Sequence, residues 1–252
     1  MFEKITEHIY VRPYEEYSDR PNIGLIIGEK HTMLYDAGNS AANVEQLKRE
    51  LEEQGLPMPD LVAVSHWHWD HTYGMHAWGV PVIAGRLTNE KLKEAAAWNW
   101  DDNSMEERVA LRTDIAFCNE MIKREYPDRS QICVTTADIV FDDRLTVDLG
   151  GGVVCELIHA KGPHSNDSVI CYVPSERFVF LGDSNGKDLY ENPWEFDLER
   201  EESVMEAIMA IPFDRDRVLE YVSLLDSLDF VLCIGGHAGH MTREELYQWL
   251  EV

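Results

Sequence analysis

Residues 65–71 read Ser-His-Trp-His-Trp-Asp-His, so three histidines and an aspartate fall within six positions, directly after the apolar run Leu61–Val64. Imidazole nitrogen and carboxylate oxygen are the donors that zinc, iron and manganese take up. A buried strand ending in a sharp loop can aim such a cluster at one point. In extended backbone successive side chains alternate, which puts His66 and His68 on one face and Trp67 and Trp69 on the other. The segment therefore predicts a metal site carried on the end of a strand.

The rest of the chain has to supply that strand with a core. At 252 residues it can bury a sizeable one, and 44% apolar with 10% aromatic residues is a globular composition. No apolar run approaches the ~20 residues needed to cross a bilayer. The start, Met1–Glu7, shows no basic segment followed by an apolar one, so no secretory signal is expected. The five cysteines are odd in number and widely spaced. They predict reduced, mostly buried thiols in a cytoplasmic protein. A formal charge of -25 argues against a nucleic-acid backbone or an anionic membrane as the main partner. A homo-oligomer is compatible with this composition.

Short apolar runs separated by turns predict strands at Ile9–Val11, Ile23–Ile27, Thr32–Tyr35, Leu61–Val64 and Val80–Ala84. A helix is expected over Asn39–Gln54, capped by Asn39 or Ser40 and stopped by Gly55. Thr88–Trp98 and Ser104–Tyr126 read as helices, the second with Leu111, Ile115, Cys118 and Ile122 on one face. Strands resume at Ile132–Thr135, Ile139–Phe141, Leu145–Val147, Val153–Ile158, Ser168–Val173 and Phe178–Leu181. Helices follow at Arg200–Ile211 and Asp214–Ser227, then a strand at Asp229–Ile234. A last helix begins at Thr242, whose spacing to Glu245 is that of a capping box. Strands and helices in each half predict an α+β chain with two sheets packed face to face and helices outside.

Four candidate ligands in one loop leave a metal site incomplete. Three further candidates share one setting, a buried strand ending beside glycine where the backbone turns sharply. They are His164 in Gly162-Pro163-His164, Asp183 in Gly182-Asp183, and His237 in Gly236-His237. With the first cluster they make five histidines and two aspartates, enough for two metals.

HxHxDH followed by a histidine after a Gly/Pro turn, then Gly-Asp, then Gly-His, resembles the metallo-β-lactamase superfamily. The likeness extends to Asn22 and to the Asp36-Ala37-Gly38 turn, and covers most of the chain outside about 88–130. It implies a single domain over 1–252 with a four-layer αβ/βα sandwich, interrupted by a helical insertion at about 88–130. It further implies a first metal on His66, His68 and His164, and a second on Asp70, His71 and His237, with Asp183 bridging both. Asp36 is expected behind a ligand histidine, orienting its ring. As a turn-capping aspartate after a strand, it has an ordinary structural role too.

The resemblance implies a metal-dependent hydrolase with two divalent ions, zinc foremost and iron or manganese as the other candidates. Two metals roughly 3.5–4 Å apart share and acidify a water, which then attacks a scissile carbonyl or phosphoryl group. Asp70 borders that water and is the candidate catalytic proton carrier. Esters, thioesters, lactones and phosphodiesters are the substrate classes left open. The competing reading is a persulfide dioxygenase with one iron on His66, His164 and Asp183. Tyr73, His76, Trp98, Trp100 and His240 are candidates for the substrate pocket, with Trp98 and Trp100 as a lid or wall. Trp67 and Trp69 are expected in the core.

Overall fold

The computed structural model describes residues 1–190 and 208–252. Alternation with period two builds two sheets. The first runs in the order β1 (Glu3–Lys4), β2 (Ile9–Arg12), β3 (Ile23–Ile27), β4 (Thr32–Tyr35), β5 (Leu61–Ala63), β6 (Val82–Gly85) and β7 (Ile139–Phe141). The second places β13 (His240–Thr242), β12 (Leu232–Gly235), β11 (Phe178–Gly182), β10 (Val169–Val173), β9 (Val153–His159) and β8 (Arg144–Gly150) side by side. Strands β4 to β7 pair in parallel, as do β11 and β12; the other pairs are antiparallel.

Alternate residues face inward. Ile9, Val11, Met33 and Tyr35 of the first sheet meet Cys155, Leu157, Cys171, Val173, Phe178 and Phe180 of the second in one buried cluster. The intervening residues face the outer layers. Leu25, Leu34, Val62 and Ala84 pack under α1 (Ala41–Gln54) and α3 (Met75–Trp78). Ile170, Tyr172, Val179 and Leu181 pack under the helices Arg215–Asp226 and Arg243–Trp249 through Val218, Tyr221, Leu225 and Leu246. Helix, sheet, sheet, helix is the four-layer order the pattern called for.

Local chemistry sets the helix ends. Ser40, rather than Asn39, caps α1 by accepting the Asn43 N–H, and Gly55 closes it in the left-handed region at φ 66°. Thr242 and Glu245 form the expected capping box. All five cysteines are free, and Cys133 alone is exposed. Among the described residues no helix is long and apolar enough to cross a membrane.

Three sequence expectations are corrected. The helix foreseen over Ser104–Tyr126 is two, α5 (Asp102–Ala110) and α6 (Ala116–Glu125). Arg112 breaks it at φ 59°, and the Asp114 carboxylate accepts the Ile115 N–H at 2.9 Å. That side-chain bond competes with helix continuation. Leu111 is consequently 66% exposed instead of joining the apolar face of Ile115, Cys118 and Ile122. The strand foreseen at Ile132–Thr135 does not form; Ile132 and Val134 pack as irregular chain against neighbouring clusters. The strand foreseen from Asp229 starts only at Leu232. In the region of the helix expected over 200–211, residues 208–210 are helical and 200–207 lie outside the described residues.

A buried carboxylate is one of the ties between the helical block and the sandwich. Glu125, at the end of α6, has a side chain only 3% exposed. It accepts hydrogen bonds from Ser18 Oγ at 2.6 Å, from Arg20 Nε and Nη2 at 3.2 and 3.0 Å, and from the Ser40 hydroxyl. Removing one partner of a buried ion pair strands the other charge, at a cost of several kcal/mol. Glu125→Ala is expected to destabilise the protein by about 3 kcal/mol in urea unfolding. An effect below about 0.5 kcal/mol, the range of ordinary surface substitutions, would show that this junction is dispensable.

Candidate metal centre

Each candidate ligand stands just beyond the C-terminal end of a strand. After β5 the chain turns at Ser65, presents His66, and sets His68 at the N-cap of α2 (Trp69–Thr72), whose single turn carries Asp70 and His71. His164 follows β9, Asp183 follows β11 and His237 follows β12. The first loop belongs to one sheet and the other three to its partner, so the site lies across one edge of the sandwich. Close approach there requires glycine. A Cβ on Gly236 would lie 2.1 Å from Asp183 Oδ1, and one on Gly182, at φ 53°, 2.4 Å from Ser65 Cβ.

The side chains sort into two donor groups. His66, His68 and His164 form one; Asp70, His71, Asp183 and His237 form the other. Within each, one ligand atom per residue lies within 4.8 Å of all the rest. Asp183 faces both. Its Oδ2 is 3.7 Å from His164 Nε2 and 3.6 Å from His237 Nε2, and its Oδ1 is 3.5 Å from His71 Nε2. Asp70 Oδ2 lies 2.9 Å from His71 Nε2 and 3.1 Å from His237 Nε2.

Partners behind the rings orient them. Asp36, itself left-handed at φ 68°, accepts the Ser65 N–H at 2.7 Å on Oδ1 and faces His71 Nδ1 at 2.8 Å with Oδ2. His164 Nδ1 donates to the Lys187 carbonyl at 2.8 Å. His66 Nδ1 meets Ser65 Oγ at 2.9 Å. His237 Nδ1 lies 3.4 Å from a carboxylate oxygen of Asp19. Fixing one ring nitrogen in this way leaves the other to face the centre. Asn22 secures the last loop, donating from Nδ2 to the Gly235 and Ala238 carbonyls at 2.7 Å each.

The electrostatics separate the two groups. Burial, then the neighbouring His68 and His71 rings, holds His66 well below the usual imidazole range. Burial and His164 bring His68 down to about 3. These rings are neutral, the form that binds metal. Burial opposes charge on His237 as well, yet Asp183, Asp19 and Asp70 push it up to about 10. Burial favours the neutral form of Asp70, but His71 and His237 keep it a carboxylate.

A cation fits both groups. His68 Nδ1 stands 2.8 Å from His66 Nε2 and 3.1 Å from His164 Nε2, so three imidazole nitrogens converge where one proton can serve only one contact. His71 Nε2 and Asp183 Oδ1 are buried without a hydrogen-bond partner. Buried polar atoms of this kind call for a ligand.

A cleft of about 900 Å³ opens beside the first group, with His68 and His164 in its lining. Trp98 lines it, and so does Trp67, which the sequence reading placed in the core. Trp69 does pack in the core. Tyr73 is buried with Trp69 and Met105, and Trp100 packs edge-on against it at 5.4 Å. His76 is exposed on α3, and His240 is exposed on the edge strand β13. None of these four lines the cleft. Sequence reasoning missed Tyr190, whose ring lies 5.1 Å from that of His68 and 5.5 Å from that of Trp67. It missed Asp19 as well, which has no motif around it. Asp167 also escaped notice; its buried carboxylate accepts the Trp67 N–H and the Thr88 hydroxyl at 2.9 Å each.

Among solved structures the chain is similar to a metallo-beta-lactamase from Pontibacter korlensis, at 19% identity and a TM-score of 0.64, covering 100% of this chain and 97% of that one. It is also similar to the DIM-1 metallo-beta-lactamase, at 16% identity and a TM-score of 0.62, covering 100% and 95%. A Cronobacter sakazakii metallo-beta-lactamase with a mutated HARLDQ motif aligns at 18% identity and a TM-score of 0.59, covering 94% and 80%. No curated protein matches the sequence. The family model of the metallo-beta-lactamase superfamily matches residues 18–228, a span that contains six of the seven donor residues. With that match and this fold, the chain belongs to the metallo-β-lactamase superfamily.

Proposed function

We propose that the protein is a hydrolase working with two divalent metals, zinc foremost, on a small-molecule ester, thioester, lactone or phosphodiester. The observation that carries this reading is the position of Asp183 between two complete donor groups. In it, His66, His68 and His164 hold the first ion, and Asp70, His71 and His237 the second, with Asp183 shared. A set of three imidazoles suits zinc. Bound there, the ions supply Lewis acidity toward a carbonyl or phosphoryl oxygen and bring the pKa of water toward neutrality.

The protein's own groups do the rest. Asp36 and the Lys187 carbonyl fix the tautomers of His71 and His164, so the donor atoms are in place before substrate arrives. Asp70, held as a carboxylate by His71 and His237, is available to take a proton and pass it to the departing group. Trp67 and Tyr190 narrow the space over His68 and limit water around the reacting centre. A single iron on His66, His164 and Asp183, as in a persulfide dioxygenase, would leave His68, Asp70, His71 and His237 off the metal.

Metal analysis of protein purified in non-chelating buffer is expected to give two metals per chain, and Asp183→Ala less than one. A wild-type value below one would defeat the two-metal reading. Asp19→Asn is expected to weaken one of the two metals about tenfold and leave the other within roughly twofold, in a competition titration with a chromogenic chelator. Equal weakening of both would place Asp19 in general stability rather than behind His237.

Binding to the folded state alone raises stability by RT ln(1 + [L]/Kd), about 2.7 kcal/mol at a hundredfold excess over Kd. Restoring zinc to chelator-stripped protein is therefore expected to raise Tm by roughly 5–10 °C. A Tm indifferent to metal would contradict a site built from buried donors.

A further inference from the structure

The cleft beside His68 and His164 has a chemistry that the donor groups do not explain. Its inner walls are aromatic. Trp67 meets Trp98 edge to face at 6.2 Å, and Tyr190 closes the other side of Trp67 at 5.5 Å. Leu87 and Leu111 extend the apolar lining and are 44% and 66% exposed. Apolar side chains of that size normally find cover; here they stand on the lining of a concave space.

The charges along the same walls do not suit an anion. Glu90, Glu94 and Glu107 are exposed carboxylates of the lining. Of its cations, Lys91 is paired with Glu94 at 3.1 Å. Arg108 is locked between the rings of Trp98 and Trp100 at 4.7 and 4.6 Å, and its Nη1 donates to the Asn99 carbonyl at 2.7 Å. Its Nε faces the buried Asp114 carboxylate at 3.7 Å, so its charge is held inward while its plane braces the tryptophans. Arg112 remains, on the exposed turn after α5. With Lys91 and Glu94 offsetting each other, two unpaired exposed carboxylates, Glu90 and Glu107, against one free guanidinium give the described part of the cleft an acidic rim around an aromatic floor.

We infer that the cleft selects a neutral carboxylic ester, thioester or lactone carrying an aromatic or bulky apolar group, and rejects phosphodiesters and other anionic substrates. Hydrolysis adds water across the acyl C–O or C–S bond; the acyl carbon keeps the hydroxyl oxygen, and the alcohol or thiol leaves with a proton. Trp98 is the specificity residue, because Arg108 fixes its ring and it meets Trp67 edge to face within the cleft lining. The substrate class rests on the hydrolase reading above. The recognition of a neutral aromatic group does not.

The test compares p-nitrophenyl benzoate, p-nitrophenyl acetate and bis(p-nitrophenyl) phosphate on the metal-loaded protein, with Trp98→Ala and Trp98→Phe alongside. Benzoate is expected to give the highest kcat/KM. The benzoate-to-acetate ratio is expected to fall about tenfold in Trp98→Ala and to stay within about threefold in Trp98→Phe. A phosphodiester turned over as well as the benzoate, or a ratio that Trp98→Ala leaves unmoved, overturns the inference. If no ester or diester reacts, the hydrolase reading fails, and with it the reaction class. Recognition is then read from quenching of tryptophan fluorescence by 2-acetylnaphthalene, a neutral aromatic ketone. Saturable binding that Trp98→Ala weakens about tenfold supports the aromatic subsite. Absence of binding to the wild type overturns it.

Discussion

The carboxylate of Asp36 is the junction on which the donor cluster depends. Strands β4 and β5 are parallel neighbours, so the turns after Tyr35 and after Ala63 emerge side by side. Asp36 fills that gap with one oxygen on the Ser65 N–H and the other against His71 Nδ1. The first contact sets where the histidine loop leaves the sheet, and the second sets which nitrogen of His71 faces the centre. Its own N–H reaches the Ala63 carbonyl at 2.8 Å, and the Ala37 N–H reaches the His71 carbonyl at 2.9 Å. Four short bonds thus transmit the register of a parallel strand pair to a ligand atom.

Buried carboxylates recur wherever two elements must meet near the site. Asp36 joins β4 to the histidine loop, Asp167 joins that loop to Thr88 in α4 (Arg86–Ala95), and Glu125 joins α6 to Ser18, Arg20 and Ser40. Ser18 and Arg20 flank Asp19, so the helical block also steadies the carboxylate behind His237. A charge of -25 therefore reports several different things at once. Part of it is solvated helix surface, part is buried acceptors with named donors, and part is ligand oxygen. Net charge cannot separate them, because each depends on which donor the fold brings opposite.

Legibility followed the range of the interactions. Ile23–Ile27, Thr32–Tyr35 and Ile139–Phe141 were readable to the residue because alternation is local and their edges are marked by turns. The seven donors could be picked out because each stands after a strand with its own flanking signal, although their sorting into two groups came only with the family resemblance. Leu111 misled because helical spacing continues through it while Arg112, in the left-handed region, ends the helix. Trp67 misled for another reason. Strand alternation predicted it opposite the histidines and beside Trp69, but the loop is not extended there, and Trp67 lines the same cleft as His68 while Trp69 packs in the core. Asp19 and Tyr190 carry no local signal; they matter through contacts with residues more than a hundred positions away.

Trp67 also shows why donor group and cleft are not independent. It sits between two donors of the first group, and its ring lies 4.9 Å from that of His68, so the peptide that sets His66 and His68 also sets an aromatic wall beside them. That peptide is anchored by the bond from the Trp67 N–H to Asp167, and the same carboxylate oxygen accepts the Thr88 hydroxyl of α4. Helix α4 and the segment after it carry Leu87, Glu90, Glu94 and Trp98 along the cleft. A shift of α4 to accommodate a different substrate therefore pulls on the oxygen that positions His66 and His68. In the selectivity proposed above, the variable part is accordingly the side chains that α4 and α5 present, over a backbone that Asp167 ties to the histidine loop.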